Sequence, residues 1–187
     1  MIDESAFGLL IAYLTLEDDE YAGERADFVA RHAGFVELCR ARLGDAPPGQ
    51  APRALELGHA LYVELVEGAH APELISWLKQ TRAALAERGY GAAGILTYGS
   101  TWLDVEARAV SEALGQGVIV RASGPSEPFR RALMAEAAAR GGDETDDAGW
   151  GPGLYLDVDA VEALGKKPKN APTILRAGGA EFYRSGQ

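Results

Sequence analysis

The sequence contains very little cysteine and no long apolar run. Cys39 is the single cysteine among 187 residues, which excludes an intrachain disulfide framework and a thiolate metal cluster. No stretch approaches the roughly 18 consecutive apolar residues that a membrane-spanning helix needs. The N-terminus carries Asp3 and Glu4, whereas a signal peptide would begin with basic residues. Together these absences predict a cytoplasmic protein that does not enter a membrane.

Positive charge is also scarce in this chain. It has 18 Lys and Arg against 28 Asp and Glu, and its net charge is −10. The phosphates of nucleic acid would be repelled by such a surface, so no nucleic-acid binding is expected. The charge fits a basic protein partner, and it also serves ordinary solubility.

The common catalytic motifs are missing. G-x-S-x-G, the motif of a nucleophile elbow, is absent. The dinucleotide-binding motif G-x-G-x-x-G after a strand and the P-loop motif G-x-x-x-x-G-K-[ST] are absent as well. The three histidines, His32, His59 and His70, have no H-x-x-x-H or H-x-E neighbourhood. The sequence therefore predicts no metal and no cofactor, and it favours a binding protein over an enzyme.

What the chain does contain is a central stretch, 61–140, in which apolar runs alternate with helical patterns. Each run is short and ends in glycine or polar residues, as strands do. The three runs are Leu61–Val66, Ala92–Tyr98 and Val118–Ala122. The helices predicted after them begin near Pro72, Thr101 and Ser126. Thr101 with Asp104 has the spacing of a capping box, which predicts a helix ending at Gly115.

These units predict an α/β fold: one mixed sheet of four to six strands with helices packed on it. Three strand-then-helix units in a row favour parallel pairing with right-handed crossovers. The alternative is a ferredoxin-like split β-α-β arrangement, in which 102–114 is a connection and not a helix of the layer.

The flanking segments complete the predicted organisation. The pattern of residues 1–44 predicts an N-terminal helical hairpin, with helices over 4–17 and 21–43. Residues 45–53 are a Pro/Gly-rich loop, and 54–187 form the α/β core. Near the C-terminus we expect a strand at 154–156, a short helix capped by Asp157 or Asp159, and a closing hairpin around Gly178-Gly179.

Two strand-to-helix loops, 98–102 and 123–126, are the predicted ligand site. Ligands of open α/β sheets bind beyond the carboxyl ends of the strands, where helix N-termini offer free N–H groups. Small hydroxyl residues there suit an anion or a small polar ligand, although the same residues are common in any turn. The predicted ligand-binding residues are Tyr98, Ser100, Thr101, Ser123 and Ser126.

A second surface is predicted from the acidic segment 141–153. Trp150 lies among glycines there, and such an aromatic side chain either anchors a partner or folds back over an apolar groove. The predicted partner-binding residues are Trp150, Trp102, Asp143, Glu144, Asp146 and Asp147. The first functional hypothesis is accordingly a non-enzymatic inhibitor or immunity-type protein that masks a basic partner. The alternative is a small-ligand-binding protein or enzyme that uses the two loops. The sequence does not indicate an oligomeric state.

Overall fold

The structure is a computed structural model, and it describes residues 2–14, 25–44, 50–57, 59–66, 71–103, 106–107, 120–121, 125–141, 150–165 and 174–185. The described strands are β1 (Ile2–Tyr13), β2 (Gln50–Glu56), β3 (Ala60–Val66), β4 (Ala92–Leu103), β5 (Glu106–Ala107), β6 (Val120–Arg121), β7 (Gly153–Asp157), β8 (Ile174–Ala177) and β9 (Ala180–Ser185). The helices are α1 (Arg25–Gly44), α2 (Ala71–Ala86), α3 (Glu127–Gly141) and α4 (Val158–Ala163). None of these helices is long and apolar enough to cross a membrane.

Seven strands form one mixed sheet in the order β2-β3-β1-β4-β7-β9-β8. Among the described strands of this sheet, only β4 and β7 run parallel, and the other neighbours are antiparallel. The predicted mixed sheet with helices packed on it is confirmed. It has seven strands, however, and most of its pairing is antiparallel and not parallel.

The helices cover both faces of this sheet. One apolar core joins α1, α2 and α4 to the first face, through residues such as Phe35, Leu78 and Ala160. The other core joins α3 to the second face, through Ala132, Ala135 and Ala139. The fully buried residues of α3 in this core are alanines, so its backbone can lie close to the strands, and Phe129 packs on Tyr62 beside them.

The predicted N-terminal helix is wrong, because residues 2–13 form the central strand β1. It pairs with β3 on one side and with β4 on the other. Leu9 and Ile11 belong to the first core, whereas Leu10 and Ala12 belong to the second. A strand buried on both faces has a continuous apolar sequence, and periodicity cannot separate that from a buried helix.

The predicted helix after Thr101 is also wrong at its start. Residues 101–103 continue β4, and residues 106–107 pair with residues 120–121 in a separate two-stranded ribbon. Part of the third predicted strand is therefore in a ladder, but outside the main sheet. This agrees with the ferredoxin-like alternative, in which the segment after β4 is a connection.

The capping signals around the later helices are confirmed. Ser126 caps α3, because its hydroxyl oxygen accepts a hydrogen bond from the Phe129 N–H at 3.1 Å. Asp157 caps α4 through the Ala160 N–H. The closing hairpin forms as predicted, with Gly178 and Gly179 at φ of 56° and 82° in its turn.

Candidate functional site: a groove at the open edge of β4

The long strand β4 is only partly covered on the side that faces β7. The parallel pairing with β7 runs from Ala93 to Leu96. Farther along, Thr101 forms an isolated antiparallel bridge with Ser126. Among the residues that the structure describes, no strand pairs with 97–100 on this side. We call these four residues the β4 gap.

Three side chains take the place of the missing strand in the β4 gap. The Tyr98 N–H donates to Asp157 Oδ2 at 3.2 Å, and the Tyr98 carbonyl accepts from Arg131 Nη1 at 3.1 Å. The Ser100 N–H donates to Glu127 Oε2 at 3.2 Å. Backbone groups that are not paired in a sheet need such partners when water is displaced from them.

A groove of about 400 Å³ runs along the β4 gap. Its floor is Tyr98 to Ser100, and its walls are the N-terminal half of α3, with Glu127 and Arg131, and α4, with Glu162. A neighbouring hollow of about 210 Å³ shares Arg131 and Asp159 with it and extends toward Glu181. The groove has the size of small-molecule sites in proteins, although it is open to solvent along its length.

Gly99 allows α3 to begin directly over β4. A Cβ atom at this position would lie 2.9 Å from Glu127 Oε2 and 3.1 Å from Glu127 Cβ. A larger residue would therefore displace the Glu127 carboxylate from the Ser100 N–H and require a small shift at the start of α3.

Arg131 connects the walls of the groove. Its Nη1 donates to Asp157 Oδ2 at 3.2 Å and to Asp159 Oδ2, and its Nη2 lies 3.9 Å from Glu127 Oε1. Burial alone would lower the pKa of Arg131, but the hydrogen bonds to Asp159 and Asp157 outweigh it and raise the pKa above its ordinary value. The guanidinium therefore stays charged, and it bonds to acids of this protein as well as to the Tyr98 carbonyl.

Asp157 is the buried carboxylate of the site, with 1% of its surface exposed. It accepts from three groups: the Ala160 N–H at 2.5 Å, the Tyr98 N–H and Arg131. Burial raises its pKa from the ordinary 3.8 to about 6, although these hydrogen bonds and the Arg131 charge oppose the shift. Asp157 thus joins β4, α3 and α4 at a single buried carboxylate whose pKa is raised to about 6.

The charge of the groove is negative. Glu127, Asp159 and Glu162 are exposed carboxylates at its rim, and Arg131 is the one cation among its lining residues that the structure describes. Because Arg131 is already engaged by acids, an incoming anion would meet uncompensated negative charge.

A buried polar cluster beneath α3 fixes the helix relative to the sheet. Glu64 is fully buried on β3 and accepts hydrogen bonds from the hydroxyls of Tyr62 at 2.8 Å, Ser126 at 2.7 Å and Thr101. The Thr97 hydroxyl donates to the Pro128 carbonyl at 2.8 Å. These contacts link β3 and β4 to the N-terminus of α3, and so hold one wall of the groove in place.

The predicted ligand-binding residues separate into two environments. Tyr98 and Ser100 line the groove, where a ligand could contact them, and their role in binding stays a prediction. Thr101 and Ser126 are buried, and their hydroxyls bond to Glu64. Ser123 lies outside the described residues.

Of the predicted partner-binding residues, the two tryptophans are described. Trp150 packs on Tyr155 and Phe182, with ring centroids 4.9 and 6.0 Å apart, so it folds back over an apolar surface of its own chain. Trp102 is 42% exposed at the end of β4. Four predicted residues lie outside the described part of the chain: Asp143, Glu144, Asp146 and Asp147.

The described residues include no group of three or more His, Cys, Asp or Glu side chains placed to hold a metal ion. Cys39 is buried, and burial raises the pKa of its thiol to about 12. The thiol is therefore protonated at neutral pH and has little nucleophilic character.

Two solved structures share this fold over nearly the whole chain. One is the guanylyl cyclase Cya2, with a TM-score of 0.54 and 10% identity, over 98% of this chain and 92% of that one. The other is a bacterial light-regulated adenylyl cyclase, with a TM-score of 0.57 and 13% identity, over 98% of this chain and 91% of that one. No protein-family model and no curated protein matches the sequence. At such low identity, the similarity shows a cyclase-like α+β fold and assigns no activity to this chain.

The hypothesis of an inhibitor or immunity-type protein that masks a basic partner is wrong by this comparison. The chain matches cyclases, which are enzymes, along almost its full length. Trp150, which the hypothesis uses as an anchor, is packed against Tyr155. The small-ligand alternative agrees better with both observations.

Sequence reasoning misses most of the charged residues of the site. It gives Arg131 no role, and it predicts only helix capping for Asp157 and Asp159. Two signals are present in the sequence: a pair of arginines, Arg130-Arg131, in a strongly acidic chain, and a single Glu64 inside an apolar strand. Neither signal indicates which residues these charged side chains contact, because the contact partners lie on elements that are distant in sequence.

Proposed function

We propose that this protein binds a small polar ligand in the groove along the β4 gap. The observation that carries the proposal is the set of three β4 backbone groups that bond to side chains, one of them the half-exposed Glu127, at the floor of a groove of about 400 Å³. Backbone N–H and C=O groups that converge in a concave site are the usual means by which proteins orient small ligands.

The acidic rim argues for a ligand rich in hydrogen-bond donors. Glu127, Asp159 and Glu162 can accept from amino, amide or ammonium groups. A ligand whose binding depends on phosphate alone would be repelled by the same carboxylates. A neutral or cationic compound therefore suits the groove better than the anion that the composition of the two loops suggests.

A thermal-shift screen tests the proposal directly. The panel holds nucleosides, nucleotides, amines, amino acids and short peptides. A ligand at about one hundred times its Kd stabilises the folded state by about 2.7 kcal/mol, which gives a clear rise in Tm for a chain of this size. The groove variant is Ser100→Tyr, which fills the site from its half-buried floor. Its matched control is Ser76→Tyr, on the exposed surface of α2.

Binding that is lost in Ser100→Tyr and kept in Ser76→Tyr supports the groove as the site. Two results would contradict the proposal: no compound of the panel raises Tm at millimolar concentration, or Ser100→Tyr binds every ligand as well as the unchanged protein does.

Nucleotide cyclisation is the second candidate function, favoured by the fold shared with the two cyclases. Transfer of a nucleotide phosphoryl group generally uses Mg²⁺ held by carboxylates. The described residues offer no such cluster, so no step is assigned to them. Incubation with ATP or GTP and Mg²⁺ or Mn²⁺, followed by chromatography for the cyclic product, tests this activity. We keep the cytoplasm as the proposed location, on the basis of the single cysteine.

A further inference from the structure

The β4 gap has the dimensions of a short piece of strand. Four residues at roughly 3.3 Å each span about 13 Å. The gap is bounded on one side by Asp157, where β7 turns into α4, and on the other by the bridge between Thr101 and Ser126. A guest that continues the sheet here can therefore be only two or three residues long.

The backbone groups in the gap have the pattern that an extended residue recognises. The Tyr98 carbonyl and the Ser100 N–H both point toward α3, since their partners Arg131 and Glu127 lie on that helix. In a parallel ladder, one residue donates its N–H to the carbonyl at position i and accepts at its own carbonyl from the N–H at i+2. Tyr98 and Ser100 stand in that relation.

Both groups can accept such a guest. A carbonyl oxygen has two lone pairs, so Tyr98 can bind a second donor while it keeps Arg131. The bond from the Ser100 N–H to Glu127 involves a carboxylate whose side chain is 48% exposed. A guest carbonyl can replace Glu127 at little cost, because the released carboxylate returns to water.

The charge of the rim then selects the guest. Glu127, once released, joins Asp159 and Glu162 around a groove whose lining cation, Arg131, stays with Asp157 and Asp159. A positive side chain or ammonium group on the guest would face three carboxylates. A negative one would be repelled.

We infer that the ligand of the groove is a short basic peptide, two or three residues long, that adds to β4 as a parallel strand through Tyr98 and Ser100. This inference rests on the proposed function, because it names the ligand class of the same groove. Addition of an extended peptide to an exposed strand is a common mode of recognition, in which main-chain hydrogen bonds supply affinity and side-chain contacts supply specificity.

The test measures binding of four synthetic peptides by titration calorimetry at low salt. The reference is acetyl-Gly-Lys-amide. The second peptide carries a methyl group on the lysine backbone nitrogen, which removes the N–H intended for the Tyr98 carbonyl. The third has glutamate in place of lysine, and the fourth extends the reference by four residues. We expect the methylated and the glutamate peptides to bind about tenfold more weakly, and the longer peptide to gain nothing.

Two protein variants complete the experiment. Glu127→Gln keeps an oxygen for the Ser100 N–H and removes one rim charge, so the reference peptide should bind about fivefold more weakly. The ratio of the affinities of the reference and methylated peptides should not change. Glu87→Gln, exposed just past the end of α2, is the matched control and should bind like the unchanged protein. Melting curves of both variants verify that they are folded.

Equal binding of the methylated and reference peptides would overturn the inference, and so would equal binding of the lysine and glutamate peptides. No binding of the reference peptide, while a nucleoside or another compound binds and is blocked by Ser100→Tyr, would refute the peptide and leave the proposed function standing. If nothing binds the groove, both are refuted.

Discussion

Replacement of Asp157 by asparagine should change how the stability of the protein depends on pH. The carboxylate is 1% exposed, and burial raises its pKa from 3.8 to about 6. The folded protein therefore binds this proton more tightly than the unfolded chain does. Stability from this group is complete below about pH 4 and is lost as the pH rises through 6.

The magnitude follows from the size of the shift. A change of about two pKa units corresponds to about 3 kcal/mol, since each unit is worth about 1.4 kcal/mol. The asparagine side chain of the variant would keep an oxygen for the Ala160 N–H, so the cap of α4 is preserved, but it cannot ionise. The difference in unfolding free energy, unchanged protein minus Asp157→Asn, should thus fall by about 3 kcal/mol between about pH 3.5 and 7.

Urea unfolding at half-unit pH intervals measures this difference, and the other carboxylates cancel because both proteins contain them. Asp157→Ser, which also caps a helix and cannot ionise, should give the same pH-dependent difference. Parallel stability curves for Asp157→Asn and the unchanged protein would refute the reasoning. They would mean that hydrogen bonds and Arg131 compensate fully for the burial of the carboxylate.

Three further predictions concern the interior. Gly8→Ala should cost about 2 kcal/mol of unfolding free energy, because the new Cβ would lie 2.7 Å from the Tyr62 hydroxyl and 2.9 Å from Pro128 Cβ; a loss under about 0.5 kcal/mol by urea titration would contradict this. Glu64→Ala should cost about 3 kcal/mol, since three buried hydroxyls lose their acceptor, and Glu64→Gln should cost less; the reverse order would show that the acceptor is not what matters. Cys39, with its buried thiol and a pKa of about 12, should react with a thiol reagent at pH 8 only on unfolding, and fast labelling of the native protein would rule this out.

The elements that can be predicted from sequence are those whose signals are local. The strand at 92–98, the cap at Ser126 and the hairpin at Gly178-Gly179 each depend on residues within a few positions of one another. Hydroxyl caps and positive-φ glycines stabilise the same turn in almost any surroundings. These predictions are therefore insensitive to the rest of the fold.

The errors arise where tertiary contacts decide. Phe7, Leu10, Ile11 and Leu14 have helical spacing, which predicts a helix, but β1 is a strand with apolar neighbours on both faces. Thr101 has the spacing of a helix cap, yet its hydroxyl bonds to Glu64, 37 positions earlier in the chain. Local propensity is a weak prior against such contacts.

The candidate site shows the same division. Sequence reasoning finds Tyr98 and Ser100, because the end of a strand and small residues indicate a ligand loop. It does not find Glu127, Arg131 and Asp157 as site residues, because they reach the groove from a helix and a strand that only the sheet order brings together. The acidic character of the groove, on which the proposed ligand class depends, can therefore be found only from the structure.

The central position of β1 affects how the sheet can form while the chain is being synthesised. Its apolar segment leaves the ribosome before either of its neighbours, yet Leu9 must pair with Val63 and with Leu96. At about 5 to 20 residues per second, the second partner follows roughly 4 to 17 s later. During that interval the apolar residues on both faces of β1 have not yet met the strands and helices that bury them, so the complete sheet forms only after β4 has been synthesised.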